Sequence, residues 1–454
     1  MIDLERMLSV SRLATEYRRR RQALSPVDVT DFFLDRVERI DPKIKSMVTV
    51  TPDLARRQAA AAARRIADGD PSPLLGVPML VKDLVDVAGV RTTAGSAVLC
   101  DNVASRSAQV WQLLERAGAI LLGKANTHEF AYGGTTEPTV NPWDTKRLVG
   151  GSSGGPAAGL AAGLAPLALG TDTAGSVRIP ANLCGVVGLK PTNGTVSARG
   201  VIPLAPSLDI VGPMGHHPDD LAAVMKVIGG ARFAAASTTA VTERSSGHRL
   251  RFGYLENPGP MSPGVQRAFE DTIAVASRLG TVERVRLEHF GRSVFVNFTL
   301  LGVEAVFVHE QWADRRELYS AYVRERLEQA ALTNAVDYER ARRTAATYRA
   351  TVDEIFRDID VLVVPGVPFA APKLGATTVR VGRTTEDRDT AMCRNTGFAN
   401  VTGHPALALP AGSEQGLPVG VQLVAARGAD ADLLAVGGQV WRNLAMGTVA
   451  QRWQ

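Results

Sequence analysis

From Gly150 to Pro180 the chain reads GGSSGGPAAGLAAGLAPLALGTDTAGSVRIP, two small-residue loops around an Ala-rich helix and a strand. Glycines this dense let a backbone turn tightly and approach a ligand closely. N–H groups exposed in such loops can hold an anion or a developing oxyanion, and the serines among them offer hydroxyl nucleophiles. A phosphate loop would need GxxxxGK[ST] or GxGxxG, and neither is present. Gly150-Gly151-Ser152-Ser153-Gly154 satisfies GxSxG, but a nucleophile elbow requires a strand immediately before it. What precedes is Asn141-Pro142-Trp143-Asp144-Thr145-Lys146-Arg147, a turn-rich loop. Glycines as mere packing spacers are the plain alternative. A third reading uses two serines and a lysine, and the wider sequence carries it.

GGSSGG is followed by the Ala-rich helix, then GTDTAGSVRIPA, then Cys184-Gly185-Val186-Val187-Gly188-Leu189-Lys190-Pro191-Thr192. Upstream stands Gly76-Val77-Pro78-Met79-Leu80-Val81-Lys82-Asp83. Downstream stand Pro203-Leu204-Ala205-Pro206-Ser207-Leu208-Asp209, Gly212-Pro213-Met214, Gly403-His404-Pro405-Ala406 and the run from Gly416 to Gln422. In content and order these motifs resemble the amidase signature family of serine hydrolases. The similarity covers about residues 25 to 440 and is weakest from 231 to 358.

The resemblance implies a Ser–Ser–Lys triad: Ser176 matches the nucleophile that accepts the acyl group, Ser152 the relay serine, and Lys82 the base. In the family the relay serine is held by a cis peptide. A serine hydroxyl is a poor nucleophile until a neighbour removes its proton. Lysine can do so only when neutral, a state that burial favours. The oxyanion would meet backbone N–H groups of Thr173, Ala174, Gly175 and Ser176, each such donor typically worth about 3 kcal/mol in the transition state. Ala174 departs from the glycine common at its position; it keeps its N–H, while its methyl could trim the pocket. Ser153, Thr171, Asp172 and Arg178 are expected to support the nucleophile loop by hydrogen bonds or an ion pair. Phe130, Ala131 and Tyr132 line the acyl pocket by family analogy, with core packing an equal alternative. No metal or cofactor is needed.

Other reactive residues read as structural. Thr127-His128-Glu129-Phe130 is not HExxH, His309-Glu310 stands alone, and His216 and His217 have no partner at ligand spacing. Cys184 lies in apolar surroundings, as a packed thiol would. Cys100, Cys184 and Cys393 are too dispersed for a disulfide scaffold or zinc knuckle, which suits a reducing compartment.

Elements must bring these residues together, and their pattern argues α/β. Ser25 and Pro26 open an amphipathic helix to Ile40, with Val29, Phe33, Val37 and Ile40 on one face. Strand-like runs follow at 79–81, 119–122 and 166–169, with helices between them. Residues 231–248, rich in Ala, Ser and Thr, read as a surface loop. Residues 264–358 read as mostly helical and charge-rich, before a buried strand at Val361–Pro365. The family implies one domain over 1–454: a large mixed, twisted β-sheet covered by helices on both faces, a signature core at about 70–215, and a helical substrate-determining region at about 231–360.

The composition fits a globular chain: 454 residues, 45% hydrophobic, 21% charged and net charge +5, which excludes global disorder. Mean hydropathy is +0.01. The longest apolar run, Ala157 to Leu169, is too short to span a membrane, and the N-terminus lacks a secretory signal's apolar core. A cytoplasmic location is expected. Lys and Arg are spread widely; the one dense run, Arg18–Arg21, reads as a solvated face, so no nucleic acid is expected. The expected function is hydrolysis of a C–N bond in a small-molecule amide, with a homodimer a guess from frequency. One alternative is the glutamine-hydrolysing amidase subunit of a tRNA-dependent amidotransferase, although that subunit usually carries Gln where this chain has Ile179. The other is a catalytically silent binding protein on the same fold.

Overall fold

The computed structural model describes residues 4–18, 24–231, 233, 249–288, 290–444 and 453. The expected surface loop at 231–248, and Arg19–Arg21, fall outside them, apart from 231 and 233.

Eleven strands form one mixed sheet: β1 (Met47–Val50), β2 (Pro78–Lys82), β3 (Ile120–Ala125), β4 (Leu167–Asp172), β5 (Val187–Lys190), β6 (Ile210–Gly215), β7 (Leu250–Leu255), β8 (Gly280–Val285), β9 (Val361–Pro365), and, after a separate hairpin of β10 (Thr378–Val381) and β11 (Thr384–Asp387), β12 (Ala406–Glu414) and β13 (Leu417–Ala425). Their spatial order is β1-β3-β2-β4-β6-β5-β12-β13-β9-β7-β8. β2 runs parallel to both β3 and β4, and β7 to both β8 and β9; the remaining pairs are antiparallel.

The strands near the site are buried on both faces, and alternation sorts their side chains. Met79, Val81, Leu167 and Leu169 join a core with Trp111 and Leu433, whereas Leu80 and Ala168 turn to the opposite core with Phe33 and Ala157. That second core holds the expected capped helix. Ser25 Oγ accepts the Asp28 N–H, and Asp28 answers by accepting the Ser25 N–H at 3.0 Å. The helix runs Pro26–Ile44, past the expected end, until Lys45 at φ 55 closes it. All eight residues of the helix Gly154–Ala161 are buried. Small residues allow this: a Cβ on Gly155 would run into the Asn126 backbone.

Two expectations need correction. Within 264–358 the helix Pro263–Leu279 gives way to β8, a strand that the charge-rich sequence hid. β8 is an edge strand paired only to β7, so its Glu and Arg side chains can face solvent. The longest apolar candidate for a membrane span is not Ala157–Leu169 but Phe290–Leu318, 29 residues with a window of mean hydropathy 1.4. Its length and composition would suffice to cross a membrane, but it packs instead against the helices Ala321–Ala330, Ala335–Asp358 and Gly397–Thr402.

Candidate active site

Two adjacent parallel strands end at the site. β2 ends on Lys82 and β4 on Thr171 and Asp172, with Val81 level with Leu169. Groups at the carboxyl ends of parallel neighbours share one crevice. Lys82 is fully buried, and its Nζ donates to Ser152 Oγ at 2.7 Å and to Thr171 Oγ1 at 2.8 Å. Burial lowers its pKa to about 7, against the opposing pull of the Asp172 and Asp209 carboxylates. Near neutrality a large fraction of such lysine is uncharged and able to take a proton.

The Gly151–Ser152 peptide bond is cis. Ser153 joins the two serine loops to β4. Its hydroxyl donates to Thr171 O at 3.0 Å, and its N–H donates to Ser176 O at 3.1 Å. Ser176 lies on the wall of a cavity of about 320 Å³, beside Gly151, Thr173 and Ala174.

The loop bearing Ser176 is held from beneath by Asp172. Its carboxylate accepts the N–H groups of Gly175 at 2.9 Å and Val177 at 3.1 Å, and pairs with Arg178 at 2.9 Å. Burial pushes this acid upward, but the Arg178 guanidinium and hydrogen bonds from Arg178 and Asn400 outweigh it, leaving a pKa of about 2. Asp172 is therefore a fixed anion. Arg178 spends its other donors on Thr396 O, Gln422 Oε1 and Asn400 Oδ1, at 2.6–3.0 Å. The commitment of Gly175 corrects the expected set of four oxyanion donors, because the buried carboxylate already takes its N–H. The N–H groups of Thr173, Ala174 and Ser176 meet no protein acceptor among the described residues.

Ala131 and Tyr132 line the cavity. Phe130 does not, and takes the core-packing alternative: it is wholly buried, with ring centroids 4.6 Å from His309, 4.9 Å from Trp312 and 5.5 Å from Tyr319. A left-handed backbone at Phe130 (φ 48) and Ala131 (φ 60) turns adjacent residues to core and cavity. Ile179 is also on the cavity wall. His128 is buried against Tyr322, and burial lowers its pKa to about 4. His216 approaches Ala165 O at 3.3 Å, and His217 packs edge-on against Trp441. Cys184 is buried, and burial raises its thiol above the ordinary range.

Several site residues carried no signal in the sequence. Phe295, Phe298 and Leu301 of the helix Ser293–His309 form an apolar wall. Opposite polarity comes from Arg326 and Asp389. Arg326 Nη2 lies 3.0 Å from Asp389 Oδ2, Arg388 Nε lies 2.8 Å from Asp389 Oδ1, and the Tyr322 hydroxyl donates to the same carboxylate. Burial raises Asp389, but the Arg388 hydrogen bond and charge dominate and hold it below its ordinary value. The Asp387 carboxylate also acts on Arg388, so Arg326 is the guanidinium of this cluster that reaches the cavity wall. Thr173 Oγ1 donates to Asp209 Oδ1 at 2.7 Å; burial raises Asp209 to about 6 despite that bond. Apart from Thr173 and Asp209, whose motifs were legible but whose pairing was not, these residues lie between 295 and 389, where the sequence carried no motif.

Comparison with known proteins follows the same line. A family model described as Amidase matches residues 28–434. One subunit of the Roseiflexus castenholzii glutamyl-tRNA(Gln) amidotransferase is 35% identical, with 92% of each chain covered. A solved structure described as a vestigial protein complex that reveals the origins of an s-triazine catabolic enzyme shares 32% identity. Its TM-score is 0.89, over 97% of this chain and 99% of that one. The same subunit of the Thermotoga maritima glutamyl-tRNA(Gln) amidotransferase shares 31% identity with a TM-score of 0.77, over 96% and 94%.

Proposed function

The chain belongs to the amidase signature family of hydrolases, and from that premise we propose that it cleaves the C–N bond of a small carboxylate-bearing amide by acyl transfer to Ser176. The observation that carries this reading is the buried Lys82–Ser152 hydrogen bond at 2.7 Å, behind the cavity that Ser176 lines. Neutral Lys82 takes the Ser152 proton, and Ser152 takes that of Ser176 as its Oγ bonds the amide carbon. The oxyanion is met by the N–H groups of Ala174 and Ser176. When the C–N bond breaks, Ser152 protonates the leaving amine and recovers its proton from Lys82. Water then attacks the ester through the same relay and releases the acid. The Arg326 guanidinium on the cavity wall, which commits Nη2 to Asp389, has further donors to offer a substrate anion. A volume near 320 Å³ suits a compact molecule.

A second reading has its own support. Relatives at about 35% identity are subunits of the glutamyl-tRNA(Gln) amidotransferase, and glutamine is itself a carboxylate-bearing primary amide that Arg326 would accommodate. Against it stands Ile179, an apolar side chain on the cavity wall where the resemblance leads one to expect Gln. The deciding experiment measures ammonia or amine release from aliphatic, aromatic, dicarboxylic and urea-type amides and glutamine, with wild type and Ser176→Ala. Turnover of a non-glutamine carboxylate amide, lost in the variant, supports the first reading. Glutamine turnover alone supports the second. Wild type that turns over nothing and resists a sulfonyl fluoride would be a silent protein.

A further inference from the structure

Asn297 is wholly buried on the helix Ser293–His309, and its Nδ2 donates to Thr173 O at 3.1 Å. Thr173 O can only accept, so the nitrogen must face it. No protein donor reaches Asn297 Oδ1, an arrangement that a residue present for packing alone would avoid.

The consequence lies one atom further on. In a trans peptide the carbonyl of one residue and the N–H of the next point in opposite directions within one plane. Thr173–Ala174 is trans, since the cis bonds are Glu137–Pro138 and Gly151–Ser152 among the described residues. Gripping Thr173 O therefore turns the Ala174 N–H the other way. That N–H meets no protein acceptor, and Ala174 and Ser176 lie on the same cavity wall. The next peptide behaves differently. Thr396 Oγ1 donates to Ala174 O at 2.6 Å, but the N–H of that plane, on Gly175, is already bound to Asp172 at 2.9 Å. Of the two planes that flank Ala174, only the one gripped by Asn297 presents a free donor.

We propose that Asn297 is a positioning residue for the oxyanion hole: by holding the Thr173 carbonyl, it aims and polarises the Ala174 N–H toward the oxygen that becomes negative when Ser176 attacks. This rests on the reading of Ser176 as the nucleophile. It also ties the hole to the helix that supplies the apolar cavity wall through Phe295, Phe298 and Leu301.

The test uses Asn297→Leu, which keeps the approximate volume and removes both polar atoms without adding a charge, and Asn297→Ala, which removes them and shortens the side chain. Second-order inactivation by phenylmethylsulfonyl fluoride is measured across pH, because sulfonyl transfer to a serine also develops oxyanion charge and needs no known substrate. Both variants should react about 10- to 100-fold more slowly. Their midpoint should stay where wild type has it, since Lys82 and its partners are untouched, and so should their Tm within a few degrees. On the amide that wild type turns over fastest, kcat should fall with KM within about twofold. An unchanged inactivation rate in both folded variants would overturn the inference, as would a rate loss accompanied by a displaced midpoint, which marks general distortion of the site. Wild type that escapes labelling, or Ser176→Ala that is still labelled, would instead overturn the nucleophile assignment and the inference with it.

Discussion

In the proposed relay Lys82 can act as a base because of what surrounds it. A lysine in water is charged at any physiological pH, but full burial lowers this one to about 7, while the Asp172 and Asp209 carboxylates pull the other way. Since the relay needs the neutral amine, kcat/KM should rise with pH through about 7 and level off above it. Below the midpoint it should fall tenfold per pH unit. Lys82→Met should remove activity at every pH. Asp209→Asn offers a test with a definite sign. Its amide oxygen can still accept the Leu204 and Ala205 N–H groups while its nitrogen donates to the Thr173 hydroxyl, but the change removes an anion that favours charged Lys82, so the midpoint should move to lower pH. A pH–rate profile of the two proteins decides it; a midpoint moving upward would mean that Asp209 does not act on Lys82 through its charge.

At the scale of elements the site is a joint between β4, the loop 173–177 and the helix Arg178–Cys184. Asp172 ends the strand, caps the loop by accepting the Gly175 and Val177 N–H groups, and pairs with the first residue of the helix. One carboxylate thus sets the angle between strand and helix. Asp172→Asn would leave Arg178 as a buried cation without its partner, so urea denaturation should show a loss of about 3–5 kcal/mol. The same group bears on acid stability. Its pKa of about 2 lies below the ordinary 3.8, so its stabilisation is complete above about pH 4 and is lost as pH falls toward 2. Elements of this kind were legible because their sequence is constrained twice, by pattern and by chemistry. The capping box at Ser25 and the runs at 79–81, 166–169 and 361–365 announce themselves locally. β8 did not, because a solvent-facing edge strand needs no apolar alternation. Phe130 was left open between cavity and core because a left-handed turn at two successive non-glycine residues is a tertiary imposition with no local signature.

The whole molecule divides its labour between the sheet and its two serine loops, which hold the triad candidates, and the helices from 293 to 330, which line the cavity beside them. The first part was readable from motifs; the second was not, since apolar residues at helical spacing look alike whether they face a core or a cavity. Arg326 shows the difficulty. It is one arginine among many in 264–358, and only the fold sets it beside Asp389 on the cavity wall. Its removal should alter selectivity without unfolding the protein, because Arg388, mostly buried at 11% exposure, still neutralises Asp389. The measurement compares two amides with one acyl skeleton, ending in a carboxylate or in a methyl group. Wild type should prefer the carboxylate, since a charge-assisted hydrogen bond is worth about 1.5–3 kcal/mol, or about 10- to 100-fold in kcat/KM. Arg326→Met should lose that preference by raising KM for the anionic amide, with the neutral one nearly unchanged. If both amides lose activity equally, Arg326 shapes the cavity rather than reading charge, and the substrate class must be sought along the apolar wall of Phe295, Phe298 and Leu301 instead.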